Sequence, residues 1–256
     1  LSDHGGYYML YRVEGIVIRS MDYGEGNKII TLCTKTNGKV GILVRGAKKV
    51  KSRHAAITQL FTYGEFVYFK TGQLGTLNQG EILESHHVLR EQLHLTAYAS
   101  YVAELLDRGL EAGEIGAFLF EQLSACLTAL EQGKDPQITT HLFEMKMLQA
   151  AGYHPELQTC VSCGRDDAPM LFSSRLGGTL CIHCKNRDPA AIIISEGTLK
   201  LLRLFDRMDM RRLGNIAVKP ETKAQMKQCM RTFMDIHMGL HLKSQNFLDQ
   251  MDKYNI

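Results

Sequence analysis

Tryptophan is absent from this 256-residue chain, and no proline precedes Pro136. The longest strongly apolar run, Ala190–Ile194, is five residues, far short of the roughly 18 that a membrane-spanning helix needs. Leu1–Met9 lacks the apolar core of a secretory signal. It reads as a tag remnant or leader (1–8) ahead of a start at Met9, which makes the expected protein cytosolic. Catalytic signatures are missing as well. There is no G-x-x-x-x-G-K-S/T phosphate loop, no G-x-S-x-G elbow and no H-E-x-x-H, and Gly24-Glu25-Gly26 lacks the third glycine of a dinucleotide fingerprint. His86-His87 reads as a solvent-facing pair, and Glu111, Glu114 and Glu121 as an exposed helix-end face. No internal repeat or low-complexity tract is visible.

What is present is ordinary in bulk and uneven in place. Apolar residues make up 45% and charged residues 22%, with a net charge of +3, the profile of a globular chain long enough for one or two domains. Residues 1–80 hold 11 Lys/Arg against 5 Asp/Glu, while residues 81–256 hold 19 against 22. A basic N-terminal part on a slightly acidic remainder suggests a polyanion-binding face on one domain.

That basic part reads as β. Tyr11–Ser20, Lys28–Lys35, Lys39–Gly46, Glu65–Lys70 and Thr76–Glu84 are short runs rich in β-branched and aromatic residues, broken by Gly, Asn or Asp. Asn37-Gly38 predicts a hairpin. In the third run Val40, Ile42 and Val44 share a core face, and Lys39, Gly41, Leu43 and Arg45 share an exposed one. Five strands suit a small closed barrel. An OB-fold commonly carries a helix in the Ala47–Tyr63 connection, and an SH3-like barrel is the alternative.

From about residue 88 the period becomes helical. Tyr98, Tyr101, Val102, Leu105 and Leu106 recur at three- and four-residue intervals, as do Phe120, Leu123, Leu127 and Leu130. Asp135-Pro136 predicts the cap and first residue of a helix running to about Ala151, closed by Gly152. Further helices are expected at Ser195–Met208 and Pro220–Leu240.

Cys160-x-x-Cys163 and Cys181-x-x-Cys184 are separated by 17 residues. Each two-residue gap lets one tight turn aim two thiolates at a single ion, the pattern of a four-cysteine zinc site. Gly164 and Gly177-Gly178 suit a hairpin-like ribbon, too small and too polar for a core of its own. His183 could replace a ligand, but four thiolates already close the shell. The odd total of seven cysteines argues against disulfides. Cys33, Cys126 and Cys229 read as buried small hydrophobes.

The other concentrated signal is basic. Arg45, Lys48, Lys49, Lys51 and Arg53 put five cations in nine residues with no carboxylate among them. Such a loop can track phosphates. Arg19, Lys28, Lys35 and Lys39 would extend it, and Tyr23, Tyr63, Phe66 and Tyr68 offer stacking rings, most of them expected in the core. Nothing reads one base edge over another. From residue chemistry alone, a DNA-binding protein competes with a zinc-ribbon adaptor for RNA or a protein acid patch. A metal-dependent nuclease is a distant third.

VEGIVIRSMDYGEGNKIITLCT (Val13–Thr34), GKVGILVRGAKKVKSR (Gly38–Arg53), LGTLNQGEILES (Leu74–Ser85), TAYASYVAELLDRGLE (Thr96–Glu111), FEMKML (Phe143–Leu148), the cysteine ribbon, LLRLFDRMDMRRLGN (Leu201–Asn215) and SQNFLDQM (Ser244–Met251) together resemble the bacterial RecO family of DNA repair proteins, in order and spacing. The resemblance implies an α+β, multi-domain chain: an OB-fold barrel (9–85), an all-α domain (86–157 and 187–256) and an inserted zinc ribbon (158–186). It implies a non-enzymatic, cytoplasmic, nucleoid-associated recombination mediator that binds Zn2+, single- and double-stranded DNA and the partner RecR. Such proteins anneal complementary strands and help load RecA onto DNA coated by single-strand-binding protein. DNA-binding residues would be Arg19, Lys28, Lys35, Lys39, Arg45, Lys48, Lys49, Lys51 and Arg53, on the barrel. The acidic, apolar C-terminal tail of single-strand-binding protein would meet the helical domain. Leu202, Arg203, Phe205, Arg207 and Arg212 are candidates, because an apolar end bearing a carboxylate needs a greasy pocket rimmed by cations. Not every family member keeps the four cysteines.

Overall fold

The computed structural model describes residues 9–70, 72–167 and 169–254, so the expectation for residues 1–8 lies outside the described residues. Strands β1 (Met9–Tyr23), β2 (Asn27–Thr34), β3 (Gly38–Val44), β4 (Tyr63–Lys70) and β5 (Gly75–Glu84) close a barrel in the order β1-β2-β3-β5-β4. β1, β4 and β5 cover their expected runs, while β2 ends one residue and β3 two residues short of theirs. β1 is the longest because it serves two neighbours. Met9–Ile16 pairs with β4 and Gly15–Tyr23 with β2, and a register shift between Val17 and Arg19 bends it across the corner. β3 runs parallel to β5 at Ile42↔Gly75 and Leu43↔Thr76. This five-stranded order with a parallel closure is that of an OB-fold, not of an SH3-like barrel. Val13, Val17, Ile30, Leu32, Val40, Ile42, Val44, Phe66 and Tyr68 fill the interior.

The β3–β4 connection carries no α-helix. Residues 46–62 form successive turns bonded from one N–H to the carbonyl three residues back, as at Lys49, Ser52, Ala55, Gln59 and Thr62. Ala47, Ile57 and Phe61 are buried and pin this path to the barrel. The cations between Ala47 and Ile57 stay outside.

The outer face of β3 is only partly open: Arg45 is exposed as expected, while Lys39, Gly41 and Leu43 are half-buried. Lys39 lies against the helical part, and the β2–β3 hairpin abuts the 3-10 turn Ala112–Glu114. Gly38 is needed twice there. Its φ is +63°, and a Cβ would collide with the Ala112 carbonyl.

The helices are α1 (Val88–Glu91), α2 (Leu93–Gly109), α3 (Ala117–Glu131), α4 (Pro136–Ala150), α5 (Glu196–Arg207), α6 (Pro220–His237) and α7 (Lys243–Tyr254). Asp135 caps α4 by accepting from the Ile138 N–H at 3.1 Å, and Gly152 at φ +83° follows its end. α4 is the central helix, with Ile138 to Leu148 buried. α6 stops three residues before the expected Leu240, ahead of Gly239 at φ +59°. Ile16, Ile18, Cys33 and Phe61 of the barrel share one core with Leu89, Leu95, Val102 and Phe120. His86 corrects the solvent-facing expectation. It is buried at this junction with φ +45°, and its Nδ1 lies 2.7 Å from Glu131 Oε2. His87 is exposed. Among the described residues no helix is long and apolar enough to cross a membrane.

Between α4 and α5, strands β6 (Met170–Ser173), β7 (Gly178–Cys181) and β8 (Ile192–Ile193) form a small sheet in the order β7-β6-β8. Gly177 turns the hairpin at φ +85°. The interior is less polar than expected. Met170 and Leu180 pack with Cys160 and Cys181, and Phe172 joins the helical core against Phe233, centroids 5.8 Å apart.

Candidate metal centre and nucleic-acid interface

The two C-x-x-C turns bring Cys160, Cys163, Cys181 and Cys184 together, with all four sulfurs within 4.8 Å of one another. Cys163 and Cys181 sulfurs are 3.7 Å apart. Four sulfurs about 2.3 Å from one tetrahedral ion stand about 3.8 Å from each other, so the spacing fits a shared metal. Local sequence explains the convergence. Gly164 at φ +74° lets its N–H return to the Cys160 carbonyl at 2.8 Å, closing the first knuckle. The second begins where β7 ends at Cys181 and enters the 3-10 turn Ile182–Arg187. Burial pushes the Cys160 thiol up, but backbone N–H groups of Cys181, Ser162 and Cys163 outweigh it and bring it to about 6. A sulfur so surrounded favours the thiolate a metal requires. His183 is exposed and outside this cluster. Cys33, Cys126 and Cys229 are buried singly, and burial raises all three thiols, Cys33 and Cys229 to about 12.

The nine candidate DNA-binding cations divide into two groups. Three face the helical part and meet carboxylates there or alongside. Arg19 lies 3.5 Å from Asp107, and Lys39 donates to the Asp107 carbonyl at 2.5 Å with its carboxylate at 3.7 Å. Lys35 is 3.8 Å from Glu14 and edges a cleft of about 470 Å³ shared with Tyr63, Phe120 and Arg211. The other six gather at the opposite end of β2 and β3. Lys28 stands across the ladder from Asp22. Lys48 reaches Asp22 at 2.6 Å and, through that hydrogen bond, holds its carboxyl below the ordinary value. Arg45, Lys49, Lys51 and Arg53 are exposed and have no carboxylate partner among the described residues. Arg53 meets only His54, Nε to Nε2 at 3.1 Å.

This loop is positioned, not loose. The Gly46 N–H donates to Asn27 Oδ1 at 2.9 Å and the Lys48 N–H to the Gly26 carbonyl at 3.1 Å, which ties it to the β1–β2 turn. Tyr23 at that turn is 54% exposed, whereas Phe66 and Tyr68 are core. Tyr63 is half-buried and its hydroxyl donates to Glu14 at 2.6 Å. One ring of the four therefore remains open for stacking, beside the free cations.

The candidates on Leu201–Arg212 do not line one pocket. Leu202 and Phe205 are fully buried in the helical core. Arg203 donates to the Leu157 carbonyl at 2.7 Å and the Gln158 carbonyl at 3.1 Å, fastening the ribbon's entry strand to α5. Only Arg207 and Arg212 are exposed. The helical period of α5 turns Leu201, Leu202 and Phe205 inward and leaves Leu204 outside, so the spacing that suggested a greasy pocket mostly builds the core instead.

Known proteins match the two parts just described. The family model described as "Recombination protein O N terminal" matches residues 9–86, and "Recombination protein O C terminal" matches residues 90–246. The chain belongs to the RecO family. The "DNA repair protein RecO" of Bacillus subtilis (strain 168) is 49% identical over 244 residues, covering 95% of this chain and 96% of that protein. That of Halalkalibacterium halodurans is 46% identical with the same coverage, and that of Listeria monocytogenes serotype 4b is 44% identical, covering 95% of each. The RecO models meet where β5 gives way to α1, beside the buried His86. What the sequence did not disclose is Asp107, which meets Arg19 and Lys39 from 68 residues beyond Lys39. No local pattern marks such a partner.

Proposed function

We propose that this chain is a non-enzymatic recombination mediator acting in the cytoplasm at the nucleoid. It binds single- and double-stranded DNA through the barrel, anneals complementary strands and, with RecR, helps load RecA onto strands coated by single-strand-binding protein. Three parts divide the work: the barrel (9–85) on DNA, the helices (86–157 and 187–256) on protein partners, and the ribbon (158–186) as a structural zinc module. Zinc is favoured because four thiolates make a closed, soft, tetrahedral shell. Arg207 and Arg212 are the tail candidates left on the surface of the helical part.

The observation that carries the DNA reading is the set Arg45, Lys49, Lys51 and Arg53, exposed without carboxylates on a loop tied to the β1–β2 turn. Binding is measured across a salt series on single-stranded DNA, duplex DNA and RNA, with the chain carrying Lys48→Ala, Lys49→Ala and Lys51→Ala. Each phosphate contact contributes about −0.7 to the slope of log K against log salt on single strands, so loss of Lys49 and Lys51 should flatten the slope by about 1.4, with little added by Lys48, which Asp22 already engages. The loss should be similar on unrelated sequences, because phosphate contacts carry no base information. Folding should change by under about 0.5 kcal/mol. Lys39→Ala, whose cation is already engaged by Asp107, should leave the slope nearly intact. An unaltered slope in the folded triple variant would move the DNA path off this loop, and preference for RNA would favour the adaptor reading.

A further inference from the structure

Lys219, which caps α6, and Lys223, Lys227 and Arg231 within it follow one another at intervals of four residues. That spacing puts them along one face, about 6 Å apart on the helix axis. Met226, Cys229, Met230, Phe233 and Met234 form the buried face, and the basic row runs along its edge. Most of the basic stripe is covered. Asp135 at the start of α4 takes Lys223, and α7 takes the next two. Asp249 grips Arg231 with both oxygens at 2.9 and 3.0 Å and lies 3.7 Å from Lys227, and Asp252 meets Lys227 at 2.5 Å.

The way α7 is held differs from every other long helix. Of its twelve residues only Gln245 and Met251 are buried, Leu248 is partly buried against the core, and the helix packs on α2 while its aspartates reach α6. Its first turn is held by Glu104, whose carboxylate accepts from the Lys243 N–H at 3.2 Å, the Ser244 N–H at 2.9 Å and the Ser244 hydroxyl at 2.5 Å. The attachment therefore relies on partly exposed polar contacts that salt weakens, with little apolar burial to make it permanent. Beneath it lies a cavity of about 30 Å³ walled by Tyr98, Gln137, His141, Glu144, Arg231 and Asp249. His141 is buried there with Nδ1 on Glu144 at 2.7 Å and, among the described residues, no hydrogen-bond partner for Nε2. A gap and an orphaned nitrogen are features of a seam that closes imperfectly.

We propose that α7 is an acidic strap over a second nucleic-acid surface, the α6 stripe, and that single-stranded DNA displaces it. This rests on the reading of the chain as a DNA binder. Asp249 and Asp252 occupy the places phosphates would take on Arg231 and Lys227. Cations in a regular row suit a repeating charge better than a single carboxylate, and their interval is close to the separation of successive phosphates on an extended strand.

The test compares the full chain with Asp249→Asn/Asp252→Asn, measuring affinity for an unstructured single strand over a salt series. Freed Lys227 and Arg231 should tighten binding several-fold and steepen the salt slope by about 1.4, two contacts at about 0.7 each. Amide exchange in residues 243–254 should accelerate. Adding Lys227→Ala should remove about half the steepening. Asp166→Asn/Asp167→Asn makes the same charge change on the ribbon and should leave the slope alone. If the double variant misfolds, Asp252→Asn alone should steepen the slope by about 0.7. Unchanged slope in a folded variant overturns the strap, as does an equal gain in the ribbon control, or a gain confined to acidic peptides. A wild-type chain that binds no DNA would sink the underlying reading as well, whereas normal wild-type binding with an unresponsive variant sinks the strap alone.

Discussion

Two segments look alike on paper, the loop Arg45–Arg53 and the stretch Leu201–Arg212, both dense in cations. In the folded chain they have opposite fates. The loop keeps Arg45, Lys49, Lys51 and Arg53 exposed and without carboxylates. The stretch spends Arg203 on the carbonyls of Leu157 and Gln158, and Arg211 on Asp209 and Glu121, and it sinks Leu202 and Phe205 into the core. The difference lies in what distant sequence brings to each. Turns project the loop past its buried anchors Ala47 and Ile57, beyond reach of the helices. The stretch runs between the ribbon and α3, where unfilled carbonyls and carboxylates await cations. A run of charge in a sequence is an open binding surface where the fold leaves it unsatisfied, and a paired one has to be uncovered first.

The largest expected effect cuts through the ribbon that Arg203 fastens. Structural zinc in small sites is worth on the order of 10–16 kcal/mol of apparent binding, comparable to the stability of a whole domain. Cys160→Ser should therefore take metal content from about one zinc per chain to nearly none and make residues 158–186 protease-sensitive. The loop's salt slope should persist, because the barrel interior and the cysteine cluster pack as separate groups. Full metal occupancy in the folded variant would count against the four-sulfur site.

A smaller effect separates Arg203 from Arg207. Arg203→Ala leaves two carbonyls without their charged donor and should cost about 1–3 kcal/mol in a denaturant melt. Exposed Arg207→Ala should stay within about 0.5 kcal/mol. If instead Arg203→Ala melts normally and loses binding to the tail of single-strand-binding protein, Arg203 belongs to a surface after all, and the contrast with the loop breaks down.

These cases also show what was legible in advance. The strands, the Asn37-Gly38 hairpin, the Asp135-Pro136 helix start and both C-x-x-C turns are decided within a few residues, by alternation, positive φ, capping and knuckle geometry. His86 is not. Its burial depends on Glu131, 45 residues away. Lys39 depends on Asp107 and Arg203 on Leu157, and neither partner lies within a turn or strand of its cation. The four-residue basic repeat on α6 was not singled out in the sequence, and its cover by α7 depends on Asp249 and Asp252, 18 and 25 residues beyond the cations they meet. Sequence resolved the site where donors were local, at the cysteines, and left it open where neutralisation was long-range, at the cations.

The smallest effect tests whether Arg211 is spent internally. Its guanidinium donates to both Asp209 oxygens, Nε to Oδ1 at 3.0 Å and Nη2 to Oδ2 at 2.6 Å. That pairing outweighs burial and, with the Arg211 N–H and the Gln122 amide, holds the Asp209 carboxyl well below the usual carboxylate range. A carboxyl depressed by folding stabilises fully above its unfolded value, about 3.9, and the contribution disappears as pH falls from there towards the folded value. Arg211 is half-exposed, so solvent screening limits the gain to under about 1 kcal/mol. Asp209→Asn should therefore lower the urea midpoint slightly at pH 7, and wild type should converge on it as pH drops below about 4. A gap that stays constant through that range would mean the pair contributes nothing through charge. Arg211 would then be as available to an acidic partner as Arg207 and Arg212, and the stretch would regain a basic surface to set beside the loop.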